Sequence, residues 1–176
     1  MQAGEALRWQ PLTSVFLLAS AWWVKWPLFA AVGAARDLAC RRLLPLAGLA
    51  ALAAAALAGL AVELVKNATA RPRPPLADPG IDALGSIPGS TSFPSGHSAT
   101  AFAAAVAVGL LCPRLRAPLL ALALLVAVSR AYLGVHYWSD VLAGSLLGVA
   151  IGLATGWAVR WARRWPRSPS PSPAAP

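Results

Sequence analysis

The chain has 176 residues, 58% of them hydrophobic and 12% charged, with a mean hydropathy of +0.62. That is too apolar for an ordinary soluble domain and fits a single membrane domain. Fifteen Lys and Arg against six Asp and Glu give a net charge of +9, which alone would suit a nucleic acid or an anionic membrane surface; the basic residues sit at the ends of apolar runs, which selects the membrane.

Residues 1–11 carry Glu5 and Arg8 and lead into an apolar stretch long enough for a span. That stretch is therefore expected to remain in place and not to be removed as a signal peptide. Five apolar runs then recur at lengths suited to a hydrocarbon core, which takes about 20 helical residues. The first, residues 12–35, is interrupted only by Lys25, among Trp22, Trp23, Trp26 and Pro27. It reads either as a full span or as a kinked, re-entrant or interfacial element, with Lys25 favoured as part of a Trp-rich belt. The second, residues 43–65, has no charge before Glu63; the third covers residues 95–112, the fourth 117–133 and the fifth 139–159.

The fifth run carries Gly144, Gly148, Gly152 and Gly156 at i, i+4 spacing, a stripe of bare backbone that lets a neighbouring helix approach. The expected fold is an all-α polytopic bundle of about five membrane helices, forming one domain over residues 1–165. A Ser/Pro-rich tail at 166–176 cannot bury a core and is expected to be disordered. Cys40 and Cys112 have neither metal-ligand spacing nor a disulfide framework and read as bystanders.

Alternating helices place Arg36, Arg41 and Arg42, then Arg114 and Arg116, then Arg160, Arg163, Arg164 and Arg167 on one face. By the positive-inside rule that face is cytoplasmic. The opposite face receives the long connection at residues 66–94 and the junction between the fourth and fifth runs. Three polar clusters converge there: Lys66 with Arg73-Pro74, Pro94-Ser95-Gly96-His97, and Ser129-Arg130 with His136 and Asp140.

His136 and Asp140 are four residues apart, so on a helical start the carboxylate can hold one imidazole nitrogen and leave the other lone pair free for attack. Lys66, Arg73 and Arg130 supply three cations around one point, and guanidinium forks match phosphate oxygens. Ser95 and Gly96 stand at a helix start, an anion site, and His97 can protonate a leaving oxygen. Two histidines in different segments with one Asp are too few ligands for a metal, so no metal or cofactor is expected. Arg71 reads as a residue reaching for headgroups, and Glu63 either as a partner of Lys66 or Arg73 or as a solvated carboxylate.

The pattern Lys-x6-Arg-Pro (66–74), Pro-Ser-Gly-His (94–97) and Ser-Arg-x5-His-x3-Asp (129–140) resembles the tripartite signature of the type 2 phosphatidic acid phosphatase, or lipid phosphate phosphatase, superfamily, with all eleven specified positions matched. The resemblance implies a metal-independent phosphatase that forms a phosphohistidine on His136, oriented by Asp140, with His97 as acid and then base. Lys66, Arg73, Ser95, Gly96 and Arg130 would bind the phosphate. The expected setting is a bacterial plasma membrane with the site on its outer side, and the expected substrate is undecaprenyl pyrophosphate. Phosphatidylglycerol phosphate or phosphatidate is the alternative, and a membrane binding or transport module without turnover is the reading from another class.

Overall fold

The computed structural model describes residues 10–41 and 44–164, apart from the side chains of residue 20 and residues 22–26. The expected disordered tail and the side chain of Lys25 lie outside the described residues. The chain is all-helical in the order α1 (Gln10–Ser20), α2 (Trp22–Ala39), α3 (Leu46–Thr69), the single turn α4 (Pro74–Ala77), α5 (Gly96–Leu111), α6 (Arg116–Tyr132) and α7 (Trp138–Arg164), with a 3-10 turn at Pro113–Leu115.

The first apolar run is two helices. The break falls at Ala21, whose backbone is extended, while Pro27 is carried within α2. The Ala21 N–H donates to the Leu18 carbonyl at 3.1 Å, closing the end of α1 with a tightened turn. The other four runs each form one helix. The stretches Leu46–Ala77, Pro113–Tyr132 and Trp138–Arg164 are long and apolar enough to cross a membrane, and α5 is a shorter apolar helix.

α5 is the centre of the bundle and packs on α3, α6 and α7. Ala99, Ala101, Ala103, Ala104, Ala105 and Ala107 are all buried, so the helix is apolar all round and enclosed by its neighbours. Leu57, Leu60, Leu64, Leu142 and Leu146 on the surrounding helices are exposed. Small residues inside and leucines outside are what a helical bundle in lipid requires, since close backbone approach drives packing there.

The glycines of α7 set that approach. A Cβ on Gly144 would collide with the carbonyl of Ser95, one on Gly148 with that of Ala99, and one on Gly152 with that of Ala103. The α2–α3 contact uses the same device at Gly33 and Gly48. At this end of the bundle Asp37, fully buried, accepts the Ala47 N–H at 2.7 Å and pairs with Arg163 at 3.4 Å. It caps α3 from another helix, because Pro45 at the cap position provides no side-chain acceptor.

At the opposite end, Ala70 in the left-handed region (φ 44°) turns α3 into the long connection. Ala83 and Leu84 in its middle pack with Phe16 of α1 and with Leu133 and Val135 after α6, and Leu84 N–H donates to the Leu133 carbonyl at 2.9 Å. Gly134 (φ 71°) is needed there: a Cβ would meet the Asp82 carbonyl at 2.9 Å. The apolar middle of the connection thus docks on α1 and α6.

Candidate active site

Each signature cluster arrives on a different element at one end of the bundle. Lys66 lies in the last turn of α3, and its Nζ donates to Ser90 Oγ at 2.9 Å and pairs with Glu63 at 3.4 Å. Of the two readings of Glu63, the structure shows pairing with Lys66 by a side chain that stays exposed.

Arg73 precedes the proline turn α4 and is buried. Its Nε donates to the Ser90 carbonyl at 2.8 Å, Nη2 donates to Ser90 Oγ at 3.1 Å and the Thr91 carbonyl at 3.3 Å, and Nη1 donates to the Val135 carbonyl at 2.8 Å. Nη1 also meets His136 Nε2 at 3.1 Å. A guanidinium has only donors, so Nε2 carries the lone pair and the imidazole proton resides on Nδ1. Nδ1 is buried and faces Asp140 Oδ2 at 3.6 Å.

His136 precedes α7, in the turn after α6, rather than on the helix. Tyr137 is the capping residue: its N–H donates to Asp140 Oδ2 at 2.9 Å, while its carbonyl accepts the Asp140 N–H at 3.0 Å. An acidic side chain at the third helical position reaching back to the cap N–H is half of a capping box. The expected His136–Asp140 pairing therefore comes from cap geometry and not from two residues one helical turn apart.

Asp140 is fully buried and saturated. Ser92 Oγ also donates to Oδ2, and Arg71 Nη1 donates to Oδ1 at 2.7 Å. This corrects the expectation for Arg71, which reaches inward to the carboxylate and not outward to headgroups. Its guanidinium also lies 4.0 Å from the centre of the Tyr137 ring.

Ser95 caps α5, its Oγ accepting the N–H and the hydroxyl of Ser98 at 3.4 and 2.9 Å, so Gly96 and half-buried His97 open the first turn of the helix. Arg130, in the last turn of α6, is 7% exposed, and its Nε has no hydrogen-bond partner among the described residues. The Arg73 charge acts on it repulsively.

Burial holds the His136 imidazole below its ordinary titration range, and the charges of Arg73 and Arg130 add to the effect, while the Asp140 carboxylate opposes it. The result is a buried imidazole between the Arg73 guanidinium at Nε2 and the Asp140 carboxylate on the side of Nδ1. Among the described residues no three His, Cys, Asp or Glu side chains gather as metal ligands. Sequence reasoning missed Ser90, Ser92 and the inward role of Arg71. The hydroxyl-rich run at residues 90–92, next to Pro94-Ser95-Gly96-His97, was the signal for the serines.

A family model described as the PAP2 superfamily matches residues 47–165. Lipid A 1-phosphatases of Rhizobium johnstonii and Rhizobium etli are each 40% identical over 94 residues, 51% of this chain. The match spans only 38% and 40% of the length of those proteins. The transmembrane PAP2-type phosphatidylglycerolphosphate phosphatase of Bacillus subtilis superposes with a TM-score of 0.73 at 25% identity, covering 92% of this chain and 83% of that one. LpxE of Aquifex aeolicus superposes with a TM-score of 0.68 at 26% identity, over 85% and 88% of the two chains.

Proposed function

The chain belongs to the PAP2 superfamily, and on that premise we propose that it is a membrane lipid phosphatase that removes a terminal phosphate through a phosphohistidine on His136. The observation that carries this reading is the Arg130 guanidinium, buried with an unpartnered Nε beside a second cation. Such a charge is costly unless an anion fills the space before it.

Phosphate oxygens would take Arg130, the Lys66 ammonium and the backbone N–H of Gly96, and would compete for Arg73 Nη1, freeing the lone pair on His136 Nε2. That nitrogen attacks phosphorus, the bond from phosphorus to the lipid oxygen breaks, and His97 gives its proton to that oxygen. Asp140 stabilises the positive charge on the ring through Nδ1–H. His97 then takes a proton from water, whose oxygen displaces His136 and releases inorganic phosphate. The cations stabilise charge on the transferring group, which is most of what phosphoryl transfer demands.

An active site on the outer side of a bacterial plasma membrane is part of this reading; it is supported by Arg36, Arg114 and Arg163 at the far end of the bundle, the end that the positive-inside rule assigns to the cytoplasm. An outward site suits undecaprenyl pyrophosphate, cleaved to the monophosphate. The 40% identity to lipid A 1-phosphatases favours a second reading, the 1-phosphate of lipid A.

Purified protein in detergent, offered undecaprenyl pyrophosphate, lipid A, phosphatidylglycerol phosphate and phosphatidate with and without EDTA, tests the proposal. Phosphate release from at least one lipid, undiminished by EDTA, is expected. No release from any of them, or complete loss with EDTA, would sink it.

A further inference from the structure

The long outer connection closes on itself where its two ends meet: the Ser92 N–H donates to the Arg71 carbonyl at 2.8 Å. From these paired residues two side chains reach the same carboxylate. Ser92 Oγ donates to Asp140 Oδ2 and Arg71 Nη1 to Oδ1 at 2.7 Å. Nη1 also donates to Ser139 Oγ at 2.8 Å, and the face of the guanidinium rests on Tyr137.

Arg71 thus differs from the other cations of the site. Its side chain is 37% exposed, whereas that of Lys66 is 9% exposed, and its short contacts run to the carboxylate behind His136. We propose that Arg71 is a positioning residue for the phosphatase reaction: with Ser92 it fixes the Asp140 carboxylate so that Oδ2 faces His136 Nδ1, and its charge limits how strongly that carboxylate holds the ring proton. The inference rests on the reading of His136 as nucleophile.

A carboxylate bound at one oxygen can swing about its Cβ–Cγ bond; held at both, it cannot. A permanent cation on Oδ1 draws charge away from Oδ2, which weakens the pull on a second proton at the ring and keeps Nε2 unprotonated between turnovers. Lysine would keep the charge but lose the planar stacking on Tyr137. The charged groups bearing on His136 are Arg73 before α4, Arg130 on α6 and Asp140 on α7. Lys66 on α3 and His97 on α5 share the site.

The test compares the full chain with Arg71→Gln, Arg71→Lys, Ser92→Ala and the Gln/Ala double variant, on whichever lipid the wild type hydrolyses, with kcat and KM measured across pH. Arg71→Gln is expected to lower kcat about 10- to 100-fold, the range typical of residues that orient a reacting group through another. KM should change by less than about twofold, and the acid limb of kcat/KM should move to higher pH. Arg71→Lys should retain the wild-type limb and regain part of kcat. The double variant should lose less than the product of the two single losses, since both act on one carboxylate.

The same shift is read without turnover by NMR titration of the two histidines of the chain, assigned with a His97→Gln variant. If the wild type releases phosphate from no lipid, the phosphatase reading fails while the titration still decides on Arg71. An Arg71→Gln enzyme with wild-type kcat, a loss confined to KM, or a loss with the His136 titration unmoved and no recovery in Arg71→Lys would each overturn the inference.

Discussion

The Ser95 N–H donates to the Asp140 carbonyl at 3.0 Å, and the Ser95 carbonyl occupies the space that a Cβ on Gly144 would need. The start of α5 and the start of α7 are therefore locked together, and the glycine stripe that reads as a membrane packing device also fixes the register between two clusters of the site. Asp140 cannot move along α7 relative to Ser95-Gly96-His97 while that contact holds.

Gly148→Ala should destabilise the protein by about 1–3 kcal/mol, the cost of forcing extra volume into a packed core, because its Cβ would collide with the Ala99 carbonyl. Gly59→Ala in α3 meets nothing within 4 Å, and should be neutral or stabilising by up to about 1 kcal/mol. Thermal melts of both in one detergent check the pair; equal effects would remove close packing as the function of the stripe.

His136→Ala should lower turnover by on the order of 10⁴ or more, as loss of a nucleophile does, with the melting temperature little changed. Brief mixing with substrate followed by alkaline quench should trap acid-labile phosphate on the wild type and none on the variant. Labelling of the variant would place the nucleophile elsewhere.

The His136 imidazole titrates below its ordinary range, mainly through burial and then through Arg73 and Arg130, so it loses its proton at a lower pH than free histidine, whose pKa is about 6.5. The acid limb of kcat/KM should accordingly fall below about pH 6.5. Stability has the same sign. The unfolded imidazole binds its proton at a higher pH than the folded one, so this contribution is complete above about pH 6.5 and is lost as pH falls towards the lowered native value. An acid limb centred above pH 7 would contradict the assignment.

Arg130→Met exchanges a buried cation for an apolar chain of similar length. Without ligand the variant should melt at or above the wild-type temperature, since the uncompensated charge is gone. Activity should fall by roughly 10²–10³, the usual loss on removing one donor to a developing oxyanion. Inorganic phosphate should raise the wild-type melting temperature and leave that of the variant unmoved. Equal protection of both would show that phosphate binds elsewhere.

Asp37 belongs to the fold and not to the chemistry. Asp37→Ala leaves the buried Ala47 N–H without its acceptor and removes the ion pair with Arg163. Removing that one acceptor should cost about 1–3 kcal/mol, while the activity of the protein that remains folded is retained. A variant that melts like wild type but has lost turnover would reverse the assignment.

The sequence by itself determined what depends on local pattern. Run length and hydropathy placed α3, α5, α6 and α7, since a helix in lipid must satisfy its own backbone and needs about 20 apolar residues to do so. Residue type and spacing likewise brought Lys66, Arg73, His97, Arg130, His136 and Asp140 to one end of the bundle. What pattern could not show were contacts made across the bundle. The break at Ala21 leaves the hydropathy of the first run unaltered. Asp37 caps a helix not its own. Ser92 and Arg71 hold Asp140 from opposite ends of the long connection, and the direction in which Arg71 points follows from the backbone pairing of those ends and from the ring of Tyr137. A long flexible cation on a loop has no period to read; only the packed surroundings decide whether it turns to lipid or to a buried carboxylate.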